Sequence, residues 1–125
     1  MMKKLIYLKL TVLLIGCSAL QQKQDGYNGT WLLKQQSGGI AGMTIKPEKE
    51  TKLIIKRDKI KRFVDGKLLS EEPFKTIKAQ VIHSQELQDV IVSNKLLKEA
   101  ISVKGDTLTI TQQCYDCYTF IYVRK

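Results

Sequence analysis

Histidine is all but missing from these 125 residues: His83 stands alone, beside three cysteines and two prolines. A Ser/His/Asp triad would have to be built on that one imidazole, and a four-ligand His-rich metal site cannot be assembled. Acidic side chains are also scarce, 12 Asp+Glu against 21 Lys+Arg, for a net charge of +9. What remains is ordinary for a globular chain, with 26% charged and 43% hydrophobic residues, which excludes wholesale disorder. The length holds one domain.

The first residues carry an address. Met1-Met2-Lys3-Lys4 is a basic start, and Leu5–Gly16 is an apolar run interrupted by Lys9. That run is far shorter than the ~20 residues of a spanning helix, so it reads as a secretory signal. It ends in Leu14-Ile15-Gly16-Cys17, which resembles the bacterial lipobox. The resemblance implies a diacylglyceryl group on the Cys17 thiol, cleavage after Gly16 and acylation of the new amine. Two or three acyl chains anchor stably where one does not. Residues 1–16 are thus expected to be a signal peptide and 17–26 a lipidated cysteine with a Gln-rich tether. Residues 27–125 would form the domain. Ser18 resembles the residue that releases such proteins to the outer membrane, which places the domain in the cell envelope, outside the cytoplasm. Nucleic acid is a poor partner there. The densest basic run, Lys56 to Arg62, reads as a solvated strand face, with a polyanion or lipid headgroup as the sharper alternative.

Beyond the tether, turn signals recur about every ten residues and the runs between them favour strands. Thr30–Gln36, Thr51–Lys56, Ile60–Val64, Lys67–Ser70, Phe74–Ala79, Val90–Val92, Ile101–Lys104, Thr107–Thr111 and Tyr118–Arg124 are the expected strands. Asp65-Gly66 and Gly105-Asp106 supply tight turns. Glu71-Glu72-Pro73 is expected to interrupt the pairing, and Asn94–Ala100 stays open between a helical turn and extended chain. The fold class is all-β, a small antiparallel up-and-down barrel.

Gly29-Thr30-Trp31 resembles the Gly-x-Trp signature of lipocalins, and Arg124 stands where that family has an arginine packed on the tryptophan. The domain as a whole is similar to small lipocalin-like lipoproteins of bacteria, with the Gly-rich loop Gly38–Gly42 at the barrel mouth. A guanidinium over the Trp31 indole would make a cation–π pair.

Cys114 and Cys117 flank a hairpin turn, where Cα separations overlap the disulfide range. Export favours oxidation, so a structural bridge is expected. A redox centre would need a helix N-terminus, and a zinc site would need two more ligands. On the last strand Tyr118, Phe120, Tyr122 and Arg124 share one face. Facing inward, the rings would line a cavity for a small apolar or amphipathic ligand; facing outward, they would offer a patch to a protein partner. A barrel filled by Leu53, Ile55, Phe63 and Leu108 would leave no ligand space and would shift interest to the rim loops Gly38–Gly42 and Asp65–Gly66. No catalytic residue and no cofactor is expected: Glu71 and Glu72 are adjacent and point to opposite faces of a strand.

Overall fold

The computed structural model describes residues 26–39, 42–82 and 84–125. The signal sequence, Cys17, the tether up to residue 25, Ile40, Ala41 and His83 lie outside the described residues. Among the described residues ten strands form one antiparallel sheet: β1 Gly29–Gly38, β2 Met43–Ile45, β3 Thr51–Lys56, β4 Lys59–Val64, β5 Lys67–Pro73, β6 Thr76–Val81, β7 Ser84–Ile91, β8 Glu99–Lys104, β9 Thr107–Gln112 and β10 Tyr118–Arg124. The all-β expectation holds. Hydrogen bonds do not close the sheet into a ring; its order is β5-β4-β3-β1-β10-β9-β8-β7-β6, with β2 beside β1.

The sheet is nevertheless strongly curled. Arg62 on β4 and Glu99 on β8 are five strand spacings apart in the ladder, about 24 Å if the sheet were flat. Their charged groups are 3.8 Å apart. The two ends of the sheet also meet in an informative way. Every neighbour along the row is antiparallel, so β5 and β6 run in the same direction. Side-by-side parallel strands need a crossover of about a dozen residues. Only Phe74 and Lys75 separate β5 from β6. The two are therefore end-to-end halves of one bent strand. The hand-over is visible in the backbone: Phe74 N–H donates to Asp58 O at 2.6 Å, on the β4 side, and Lys75 O accepts from Val92 N–H at 2.8 Å, on the β7 side.

Alternation decides what the curl encloses. Trp31, Leu53, Ile55, Ile60, Ile101, Leu108 and Ile110 are all fully buried, and Phe74 from the bend joins them with its ring edge against Tyr27. Leu33, Val103 and Phe120 pack on this cluster, half-buried.

Two expectations need correction, and two segments without a settled expectation prove to be strand. Pairing does not stop at Glu71-Glu72-Pro73, since β5 runs through Pro73, with Glu71 opposite Lys61 and Pro73 opposite Lys59. Proline is tolerated because β5 is paired on one side only. Phe74 is not in a strand; it turns inward at the bend and β6 begins at Thr76. The polar run from Ser84 is strand too, held by the β6–β7 hairpin rather than by core contacts. Glu99 and Ala100 open β8, drawn into the ladder by Gln112 and Thr111, so no helical turn forms there. The three-residue β2, all exposed, had no sequence signal.

Candidate functional site

Gly29, Trp31 and Arg124 come together where the start of β1 meets the end of β10. Register places Trp31 directly opposite Arg124. The guanidinium lies 4.2 Å from the indole ring centre and donates to Asn28 O at 2.8 Å, while Trp31 Nε1 donates to Tyr27 O at 2.9 Å. Gly29 adopts φ +146°, and a Cβ there would come within 2.6 Å of Arg124 Nη1. The glycine is needed so that arginine can lie flat on tryptophan. This trio is architecture.

The last strand turns its tyrosine face inward at its middle and lets it out at its start. Tyr122 is buried, opposite Leu33 on one side and Leu108 on the other. Phe120 is half-buried against the core. Tyr118 is partly exposed, its ring 6.3 Å from that of Phe120, close to Gly39. Beside it Cys114 and Cys117 have Cα atoms 5.2 Å apart with their sulfurs at bonding distance. A loop this small adds little chain entropy, so the bridge fixes the β9–β10 turn more than the fold.

Two charged residues belong to this interior: Arg62, which composition groups with the solvated basic run, and Glu99, from the segment that stays open in the sequence. Arg62 alternates with Ile60, so it leaves the basic outer face of β4 and points in. Its Nε is buried without a hydrogen-bond partner among the described residues, and its Nη2 sits 3.8 Å from the buried carboxylate of Glu99. Glu99 is also 3.5 Å from Lys95, which reaches Glu72 at 3.8 Å. Phe63 goes the other way. Counting from Ile60, it falls on the outer face, where Lys52 Nζ stands 5.1 Å over its ring. Of the four side chains that would leave no ligand space in a filled barrel, Leu53, Ile55 and Leu108 are buried and Phe63 is not.

Burial pushes the Tyr122 hydroxyl up to about 12, with the Arg62 charge drawing it down, Glu99 opposing that, and a hydrogen bond from the Arg62 side chain adding to the lowering. The Tyr27 hydroxyl is raised further, by burial first and then by its hydrogen bond to Asp89. Both groups are raised in the folded state, so their stabilisation is complete below pH 10 and is lost as pH rises through 12 and beyond. Each tyrosine contributes a slope of up to about 1.4 kcal/mol per pH unit in that window. Urea unfolding of Tyr122→Phe between pH 9 and 12 should therefore show a shallower decline than the parent protein, with equal slopes below pH 9.

Compared with known proteins, this chain matches no family model, no curated protein and no solved structure.

Proposed function

We propose that the protein is an exported lipoprotein, anchored to the membrane through Cys17, whose domain is a lipocalin-like barrel that binds a small amphipathic molecule with an acidic head. Three features support the barrel reading. The sheet curls until β4 and β8 touch, β5 and β6 continue one another, and β1 pairs with β10. With β5 and β6 counted as one strand and β2 set aside, the meander has eight strands.

The ligand reading is carried by one observation, the unpartnered buried Nε of Arg62. Buried N–H groups are almost always satisfied, and each exception calls for an explanation. A carboxylate or phosphate entering beside Tyr122 and Phe120 would satisfy Arg62, while the rings and Leu33 received its apolar part. No catalytic step is proposed. A protein-interaction or inhibitor module remains the second reading, favoured by the apolar rim: Met43, Ile45 and Tyr115 are exposed around the turns that flank Gly38.

Native mass spectrometry of the protein purified gently from its own envelope tests both. A bound mass lost on unfolding, and a fluorescent fatty acid displaced by decanoate about tenfold less well from Arg62→Met, are the expected results. A bare domain that ignores the fatty acid would turn the search to protein partners.

A further inference from the structure

We infer that the outer face of the β3–β4 hairpin is the side on which the domain lies against an acidic phospholipid surface. Alternation sends Lys52, Ile54 and Lys56 of β3 and Lys59, Lys61 and Phe63 of β4 outward together. All of these except Lys52, together with the tip residues Arg57 and Asp58, border an open groove of about 280 Å³. Its floor is apolar, from Ile54 and Phe63, and its rim is cationic. Lys52 already shows the manner of it, with its stem along the sheet and its ammonium over the Phe63 ring. Long basic side chains over an apolar floor match a bilayer interface, where the stems meet the upper acyl region and the charges meet phosphate.

The acidic groups nearby do not cancel this face. Asp58 sits at the tip, and Glu71 holds Lys59 at 3.7 Å in an exposed pair. Lys52, Lys56 and Lys61 are in no ion pair among the described residues.

Position favours a membrane over a soluble polyanion. Arg57 N–H donates to the Asn28 side-chain oxygen at 2.7 Å. The hairpin tip is thereby tied to the point where the N-terminal segment enters the domain. This step rests on the lipid anchor proposed at Cys17. Nine tether residues reach about 30 Å at most, so the anchor holds this hairpin close to the bilayer. Arg57 also adopts φ 57°, a left-handed conformation that suits glycine better than arginine.

The chain from residue 18 onward keeps every described strand and carries no lipid, so it tests the face without the anchor. It should co-sediment with phosphatidylcholine vesicles containing about one third phosphatidylglycerol, release as salt rises, and ignore pure phosphatidylcholine. Lys56→Glu with Lys61→Glu should weaken binding about tenfold or more, against less than about threefold for Lys67→Glu with Lys98→Glu, the same charge change elsewhere. Arg57→Gly relieves the backbone, so it should bind more weakly while unfolding no earlier than the parent. Equal losses from both charge pairs, equal binding to neutral vesicles, or binding to heparin with no vesicle preference would each overturn the inference. Failure of the anchor is separate: it would show as native protein without acyl mass, whatever the vesicles report.

Discussion

Gly38→Ala is expected to lower stability by about 3 kcal/mol, whereas the same change at Gly66 or Gly105 should cost about 1 kcal/mol. All three glycines have positive φ, 119°, 78° and 61° respectively. All three positions carry a backbone penalty, largest at Gly38, whose φ lies beyond the left-handed helical region, and space separates them further. A Cβ on Gly66 or Gly105 meets nothing within 4 Å. On Gly38 it would fall on the carbonyl oxygen of Cys117, with Cys117 C and Tyr118 Cα each 3.2 Å away. Those are backbone atoms, and neither side can retreat. Gly38 is paired with Tyr118 on one flank and Met43 on the other, and the turn that carries Cys117 is closed by the bridge to Cys114. Gly29→Ala should fall between, about 2 kcal/mol, because the obstructing Arg124 guanidinium can move but leaves the Trp31 ring when it does. Urea unfolding of the four variants side by side measures the order, and a Gly38→Ala loss no larger than that of Gly66→Ala would mean the β1–β10 corner is softer than its pairing indicates.

How far the chain could be read in advance follows from which forces leave a local trace. Strands with one face in the core show alternation, so β1, β3, β4, β9 and β10 were legible, as was the Asp65-Gly66 turn. The first half of β7 was not, because Ser84–Asp89 is held by backbone pairing with β6 and carries little apolar pattern. The bend at Phe74-Lys75 was hidden for a related reason: it is defined by which neighbours bond to two consecutive residues, and those lie far off in sequence. Tyr27 and Asp89, hydrogen-bonded across 62 residues, are of the same kind. The Trp31–Arg124 pair was reached by resemblance to lipocalins, since nothing local in either segment predicts the contact. Arg62 is the instructive miss. It was counted with the basic run that begins at Lys56, although strict alternation from Ile60 already turns it away from Lys61 and into the interior. Composition grouped the charges, and strand geometry divides them.

Glu99→Leu is expected to cost about 3 kcal/mol, because it leaves the Arg62 guanidinium in the interior without its counter-charge. Both partners are mostly enclosed, with side-chain exposures of 21% and 9%, so solvent screens the pair only weakly. The same substitution releases Lys95, whose contacts to Glu99 and Glu72 link the segment before β8 to β5. Removing both charges is a different matter. Arg62→Leu with Glu99→Leu should return to within about 1 kcal/mol of the parent, since apolar replacements of a buried pair are often neutral. The comparison therefore separates what the fold needs from what the proposed ligand needs. If the pair serves stability alone, the double variant loses nothing. If Arg62 is kept for an acidic head group, the double variant folds well and fails to bind decanoate. The milder Glu99→Gln then completes the argument: with less competition for Arg62, it should bind decanoate more tightly than the parent while unfolding at lower urea, and added ligand should recover part of that stability by mass action. Calorimetric titration and urea unfolding on the parent and these three variants give both readings. A Glu99→Gln variant that binds decanoate no better than the parent would remove Arg62 from the ligand site and leave it a structural charge.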